Sequence, residues 1–172
     1  MNTQETATSA EGRNGQDGAN AGRYLTFELS AQSYGVSILT VREIIAFQET
    51  TSLAGTPSSV EGVINLRGRI IPIIDLAGLL SLQSGERTAR TCIIVTEVEG
   101  EDGELALVGC IVDTVSEVMH IHAGQIEAPP QLGPSVDMSS VLGLAKIGDA
   151  GKVVSLLDIH RVLGSLSSLS FA

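Results

Sequence analysis

Aromatic residues are scarce in this sequence, which has no tryptophan and only 3% Phe, Trp and Tyr in total. Its hydrophobic fraction is nonetheless 43%, so the core must be built from valine, isoleucine and leucine. Branched aliphatic side chains of this kind suit pleated strands. Together with 19 glycines, the composition predicts a strand-rich protein with many turns and bulges.

Positive charge and cysteine are also scarce. Ten Lys and Arg against twenty Asp and Glu give a net charge of −10, which disfavours binding to nucleic acid or to an anionic membrane surface. The two cysteines, Cys92 and Cys110, are expected to be free buried thiols, with a single disulfide as the alternative. No apolar run approaches the about 18 residues of a membrane span, and the N-terminus does not resemble a signal peptide. We therefore expect a cytoplasmic protein.

The hydrophobic pattern divides the chain into a polar lead, one ordered region and a short tail. Residues 1–22 lack any apolar period and are predicted to be disordered, and residues 164–172 form a serine-rich tail. Alternation in residues 24–29 predicts a strand, and residues 34–38 return as its hairpin partner. Residues 39–45 then change to a helix-like spacing, with Val41 and Ile44 or Ile45 on one side.

An internal repeat runs through the ordered region. Residues 34–44 match residues 108–118 at an offset of 74, and residues 73–76 match residues 156–159 at an offset of 83. Each unit is a hairpin, a connection, a second hairpin and a capped helical turn, and short strands of this kind close into a small barrel. The repeat predicts two barrels side by side, at about 23–85 and 88–163, with exchange of a strand or helix between them left open.

Catalytic motifs are missing from the sequence. It contains no phosphate-binding loop, dinucleotide fingerprint, nucleophile elbow or H-E-x-x-H motif. His120 and His122 share a strand face and, with a third ligand, are a conceivable metal site, although a half-exposed strand edge is the favoured interpretation. Asp113 and Glu117 flank Val115 and either form an acid–base pair or are solvated turn residues, and no nucleophile accompanies them. We expect no enzyme activity, cofactor or metal.

The apolar residues on the strands exceed what the inside of one small barrel needs. Such a surplus predicts either a binding interface or a seal between the two barrels. A second feature is Arg67, which lies at a turn between apolar strands, where its guanidinium can pair with the Glu43 carboxylate. The surplus consists of Val41, Ile44, Ile64, Ile71, Val112 and Val115.

One long motif resembles a known family. Residues 62–76, GVINLRGRIIPIIDL, resemble the N-L-R-G-x-h-h-P-h-h-D-L signature of CheW, a family of chemotaxis coupling proteins, where h is hydrophobic. Residues 35–44 resemble the first half of that family, and residues 108–115 resemble its V-G-h-h-V-D-x-V segment. The resemblance covers residues 23–163, nearly all of the ordered chain.

The resemblance implies an all-β fold of two five-stranded SH3-like barrels with short capping helices and an apolar groove between the barrels. It also implies a non-catalytic adaptor that links the cytoplasmic tip of methyl-accepting chemoreceptors to the regulatory domain of the histidine kinase CheA at receptor arrays. A small-molecule-binding β-barrel, which needs an enclosed cavity with converging polar groups, is the alternative. Family pattern and apolar surplus together predict receptor contacts at Val41, Glu43, Ile44, Ile64, Arg67, Val112 and Val115. The predicted kinase contacts are Cys92, Ile93, Ile94 and Val95.

Overall fold

The computed structural model describes residues 20–100, 102–133, 138–164 and 166. Most of the predicted disordered lead and most of the tail lie outside these residues. No helix in the described part of the chain is long and apolar enough to cross a membrane. The strands are β1 (Gly22–Leu29), β2 (Gln32–Ser37), β3 (Val41–Ala46), β4 (Val60–Leu66), β5 (Arg69–Asp75), β6 (Cys92–Glu99), β7 (Leu105–Val112), β8 (Thr114–Ile121), β9 (Ile126–Glu127), β10 (Val141–Ile147) and β11 (Lys152–Leu157).

Short helical segments accompany the strands in the described residues. Helix α1 (Leu76–Leu79) follows β5, and helix α2 (Ile159–Gly164) follows β11. Two 3-10 turns, Ile38–Thr40 and Ala123–Gln125, precede β3 and β9. Residues 39–45, which the spacing predicted as helical, are therefore one 3-10 turn and most of strand β3.

The strands form two sheets, which confirms the all-β architecture. Sheet I has five strands in the order β3-β6-β7-β5-β4, and sheet II has six in the order β8-β1-β2-β11-β10-β9. Five strands were predicted for each. The sixth strand of sheet II is β9, which has two residues and pairs with Leu144 and Ala145 of β10.

The repeat is visible in the strand orders of the two sheets. Each sheet combines strands from one half of the chain with a hairpin from the other half. The β1–β2 hairpin pairs with β8 and β11, whereas the β6–β7 hairpin pairs with β3 and β5. The exchange that the sequence left open therefore involves one complete hairpin from each half. Neither half contains all the strands of a barrel, so we expect the two barrels to unfold together.

Parallel pairings join the exchanged hairpins to the rest of each sheet, and glycines permit them. Gly35 is in register with Leu156, and Gly109 is in register with Ile73. A Cβ on Gly109 would lie 2.5 Å from Cδ1 of Ile73, and one on Gly35 would lie 3.2 Å from Cδ2 of Leu156. A methyl group would therefore clash at Gly109 and would be tightly packed at Gly35.

Both sheets curl until their edges meet. In sheet II, β8 and β9 lie at opposite edges, although only residues 122–125 separate them. A flat six-stranded sheet would hold its edges about 24 Å apart, whereas five residues of extended chain reach about 18 Å at most. Sheet I closes in the same way, because Thr51, five residues beyond β3, bridges Val63 of β4 at the opposite edge. Each sheet is therefore a small barrel.

Three apolar clusters fill the molecule. The first lies between the sheets and includes residues of β1, β2, β5, β6, β7, β11 and both helices. The second fills the sheet I barrel, and the third fills the sheet II barrel. Alternation places Ile93 and Val95 inside the sheet I barrel and Ile94 between the sheets. The sheet I cluster is Ile64, Ile71, Ile73, Ile93, Val95 and Ile111, and the sheet II cluster is Tyr24, Ile121, Ala145, Val154 and Leu156.

Both cysteines are free, as predicted. Cys92 is in register with Val112, and Cys110 with Ile94, so the two cysteines are diagonal neighbours on adjacent strands. Diagonal partners have Cα atoms about 7–8 Å apart, beyond the about 6.8 Å that a disulfide spans. A disulfide between them would require the strands to shift.

The two thiols are expected to differ in reactivity. Cys110 is buried between the sheets, and this burial raises the pKa of its thiol to about 12, whereas Cys92 is only partly buried. Because the thiolate is the reactive species, Ellman's reagent should titrate one thiol in the native protein and two in guanidinium chloride. Titration of both thiols in the native protein at the same rate would contradict the burial of Cys110.

Candidate functional site

The predicted pairing of Glu43 with Arg67 is confirmed. Nη1 of Arg67 donates to Oε1 of Glu43 at 2.5 Å, and Nη2 donates to Oε2 at 2.8 Å. The side chain of Arg67 is 72% exposed and that of Glu43 is 28% exposed. Each terminal nitrogen of the guanidinium thus binds one oxygen of the same carboxylate. This bidentate geometry fixes the orientation of the arginine.

The backbone around Arg67 explains how it reaches Glu43. Arg67 and Gly68 have φ angles of 52° and 85°, as in the two-residue type I′ turn that matches the twist of a hairpin. The N–H of Gly68 also donates to Oδ1 of Asn65 at 2.9 Å. Glycine adopts such a conformation freely, whereas arginine is strained there. Ser30 and Ala31, in the turn between β1 and β2, have similar φ angles of 50° and 62°.

The ion pair is charged at neutral pH. Hydrogen bonds from Arg67 lower the pKa of Glu43, and hydrogen bonds to Glu43 raise the pKa of Arg67. The pair is therefore lost only as the pH falls through the lowered pKa of the carboxyl group. Because it lies in solvent, it contributes little to folding. Its main consequence is a fixed arrangement of charge at the protein surface.

Exposed apolar side chains lie on the segments that flank the ion pair. Ile44, next to Glu43, is 41% exposed, and Ile70, three residues after Arg67, is 65% exposed. We call Glu43, Ile44, Arg67 and Ile70 the ion-pair patch. Ile70 was not among the predicted contacts, but its signal was in the sequence, because residues 70–74 are apolar on both faces of a strand and only one face fits inside a barrel.

Two of the predicted receptor contacts belong to the core. Ile64 is 5% exposed and faces the interior of the sheet I barrel, and Val112 is fully buried between the sheets. Their side chains cannot contact a partner on the surface, which corrects that part of the prediction. Val41 and Val115 are half-buried and pack against the cluster between the sheets. Of the six surplus residues, three pack between the sheets, Ile64 and Ile71 lie inside the sheet I barrel, and Ile44 is exposed.

The predicted kinase-contacting strand is also largely internal. Ile93, Ile94 and Val95 have exposures of 0%, 2% and 0%, and β6 pairs with β3 on one side and β7 on the other. Direct contact through these three side chains is thus excluded in the folded protein. Cys92 is partly exposed, in register with the exposed Ala46.

Of the two candidate carboxylates, that of Asp113 has a structural role, whereas Glu117 makes its contacts through the backbone. Oδ2 of Asp113 accepts the N–H of Ser30 at 2.9 Å and so holds the β1–β2 turn. Glu117 lies exposed on β8, and its backbone N–H and C=O both bond to the hydroxyl of Thr26. In the described residues no group of three or more potential metal ligands occurs.

Comparison with known proteins gives one consistent result. A family model described as a CheW-like domain matches residues 23–167. The chain is 34% identical over 142 residues to the chemotaxis protein CheW of Klebsiella aerogenes, a match covering 83% of this chain and 81% of that protein. It is 33% identical over 147 residues to the chemotaxis protein CheW of Rhizobium meliloti, covering 85% and 90%.

A solved structure is similar as well. The crystal structure of the scaffolding protein TtCheW from Thermoanaerobacter tengcongensis superposes with a TM-score of 0.71 at 33% identity. The match covers 83% of this chain and 88% of that one. The similarity extends over both barrels and includes the ion-pair patch within the family-matched residues.

Proposed function

The chain belongs to the CheW family, and from that premise we propose that it is a non-catalytic adaptor that couples chemoreceptors to a CheA-type histidine kinase. The curated relatives are named chemotaxis proteins, and the similar solved structure is described as a scaffolding protein. In this proposal the protein works in the cytoplasm at membrane-associated receptor arrays, and it needs no cofactor.

The ion-pair patch is the observation that carries the proposal. A bidentate ion pair at an exposed hairpin tip, flanked by Ile44 and Ile70, offers fixed charge beside apolar area. Protein interfaces combine these two features. The cytoplasmic tip of a methyl-accepting receptor is a helical hairpin, and the apolar stripe of a helix docks onto such a surface. We assign the receptor contact to this patch, with Val41 and Val115 at its half-buried margin.

The kinase contact is proposed at the accessible end of β6. Cys92 is the one of the four predicted residues that is partly exposed. Its neighbours Arg90 and Ala46 are exposed. The regulatory domain of a CheA-type kinase itself consists of barrels. In this proposal one of those barrels binds this end of sheet I. Ile93, Ile94 and Val95 would then act by keeping the strand in place.

Two contacts on one protein suffice for coupling, and here they adjoin on β3, where Ile44 and Ala46 lie two residues apart. Binding the receptor and the kinase together raises the local concentration of each for the other. A receptor state that favours one arrangement of the complex then biases the kinase, because the coupling free energy acts in both directions. The interlocked hairpins give the adaptor the rigidity this requires, since neither barrel contains strands from one half alone.

The small-molecule alternative has less support. The six residues of the sheet I cluster have exposures of 5% or less and fill the barrel with aliphatic side chains. The sheet II barrel is filled by Tyr24, Ile121, Ala145, Val154 and Leu156. A ligand cavity needs open volume with a few converging polar groups, which these filled interiors do not offer.

Binding to both partners is the direct test. The purified full chain should form a complex with a receptor cytoplasmic fragment, another with the CheA regulatory domain, and a ternary complex with both. Size-exclusion chromatography and calorimetry measure each step, and circular dichroism checks that the adaptor is folded. Binding to the kinase domain alone would refute the receptor assignment. Binding to neither by a folded protein would refute coupling and favour the small-molecule alternative.

A further inference from the structure

Two histidines lie side by side at the end of β8. His120 is within the strand and His122 directly follows it, so both project from one face, and both are exposed. Their ring centroids are 4.4 Å apart with an interplanar angle of 62°. Imidazole nitrogen is a preferred ligand of Zn²⁺, Ni²⁺ and Cu²⁺.

The spacing of the rings fits two ligands of one ion. A metal–nitrogen bond of about 2.0–2.1 Å, with about 1.1 Å more to the ring centre, places each centroid about 3.2 Å from the ion. The centroids of two such rings lie about 4.5 Å apart when the nitrogen–metal–nitrogen angle is 90°. They lie about 5.2 Å apart when that angle is tetrahedral. The observed 4.4 Å matches the right angle of a tetragonal site.

The turn that follows β8 fixes the backbone of His122. Oε1 of Gln125 accepts the backbone N–H of His122 at 2.8 Å, and the N–H of Gln125 donates to the backbone carbonyl of His122 at 2.9 Å. Both bonds are made by the backbone of His122, so its neutral imidazole can present an unprotonated nitrogen to an ion.

We propose that His120 and His122 form a two-ligand site for a divalent transition-metal ion that prefers tetragonal geometry, with water in the remaining positions. Ni²⁺ and Cu²⁺ have this preference. The net charge of −10 attracts cations in general, whereas Arg23, in register with His120 on β1, lowers the affinity. The site is on sheet II, whereas the ion-pair patch is on sheet I, so it is independent of the proposed function.

Calorimetric titration of the full, tag-free chain with Ni²⁺ tests the proposal. Ni²⁺ is the probe because Cu²⁺ would also oxidise the partly exposed Cys92 thiol. We expect saturable binding of one ion per chain, weakened about tenfold or more by His120→Gln and by His122→Gln separately. The matched control is His160→Gln, which removes the remaining histidine, an exposed residue of α2, and should leave the affinity unchanged.

Three results would overturn the proposal. The first is the absence of saturable Ni²⁺ binding by the folded chain. The second is full affinity in both His120→Gln and His122→Gln, which would place the ion elsewhere. The third is an equal loss in His160→Gln, which would mean that histidines bind Ni²⁺ regardless of their arrangement. Since all the histidines concerned are exposed, the variants should fold, and circular dichroism verifies this.

Discussion

Replacing Gly62 by alanine should lower the free energy of unfolding by about 4 kcal/mol, a large part of the about 5–15 kcal/mol that a domain possesses. A Cβ at this position would lie 2.2 Å from the carbonyl oxygen of Thr51 and 2.7 Å from its carbonyl carbon. Both are backbone atoms of the segment that closes the sheet I barrel, so neither can rotate away. The φ angle of Gly62, 150°, is also one that L-residues rarely adopt.

The chain provides two matched controls for this substitution. Gly143 is the equivalent glycine of the second repeat, and its added Cβ would meet Cγ2 of Ile126 at 2.6 Å and the carbonyl oxygen of Glu127 at 3.0 Å. Its ordinary φ and the softer first contact predict a loss of about 2 kcal/mol for Gly143→Ala. Gly68 has a φ of 85° but no atom within 4 Å of its added Cβ, so Gly68→Ala should lose only about 1 kcal/mol.

Urea unfolding monitored by circular dichroism measures the three losses. The expected order is Gly62→Ala, then Gly143→Ala, then Gly68→Ala, with a single cooperative transition in each case. Equal losses for Gly62→Ala and Gly68→Ala would mean that backbone conformation alone matters at position 62. The close approach of Thr51 would then contribute nothing to the loss.

The sequence predicted the strands and the repeat because both follow from local patterns. Alternation identified β1, and the paired glycines at 35 and 109 revealed the two units. The Glu43–Arg67 pair was predicted because an arginine at a hairpin turn needs an acidic partner within reach. Each of these features shows in short sequence patterns, although the ion pair joins residues 24 apart in the chain.

Exchange of the hairpins could not be derived in this way. The β1–β2 hairpin presents the same pattern whether it pairs with β3 and β5 or with β8 and β11, since the two halves repeat each other. Local propensity, strand length and alternation are equal in the two arrangements. The choice depends on which connections can reach and on packing between the sheets, and neither is a property of a short segment.

A β-bulge explains why β3 was predicted as a helix. The pairing with β6 shifts between Val41 and Glu43, which inserts one residue into the alternation. Val41 is in register with Thr96 and Ile44 with Ile94, so the bulge places these two residues, three apart, on one face of the sheet, whereas Ile45 packs inside the sheet I barrel. Apolar residues at 41, 44 and 45 imitate the spacing of a helix, and a sequence pattern alone does not distinguish the two.

Burial in the structure divides the predicted contact residues into accessible and inaccessible ones, a distinction that residue type alone does not make. Val112 and Val41 are chemically the same, yet one is fully buried between the sheets and the other is half-buried at the margin of that cluster. The fold has three apolar interiors, namely the inside of each barrel and the layer between the two sheets. Each of them contains valine or isoleucine side chains. A sequence shows how many such residues exist but not how the three interiors divide them.

Reversing the charge of Arg67 should weaken binding to the receptor fragment about tenfold or more while leaving the fold intact. In Arg67→Glu a second carboxylate would face Glu43 at the hairpin tip, and the two would repel each other and separate. The fixed charge of the ion-pair patch would then be lost. Because Arg67 is exposed and the pair contributes little to folding, the thermal unfolding midpoint should change only slightly.

Lys152→Glu is the matched control for this charge reversal. Lys152 is exposed at the start of β11 in sheet II, at the repeat position equivalent to Arg69. It changes the net charge by the same amount away from the ion-pair patch, so receptor binding should be unaffected at moderate ionic strength. If Lys152→Glu weakened binding as much as Arg67→Glu, the effect would come from overall charge rather than from the patch.

The exchange of both charges decides how the ion pair acts. Glu43→Arg combined with Arg67→Glu permits the pair to re-form with opposite polarity. If the pair mainly fixes the hairpin against β3, calorimetry should show that the double variant recovers most of the receptor affinity lost in each single variant, a large coupling in the double-mutant cycle. If the guanidinium itself contacts the receptor, affinity stays low although the pair is restored. We expect the first result, because the two hydrogen bonds to Glu43 already hold the planar guanidinium of Arg67 in one orientation at the hairpin tip.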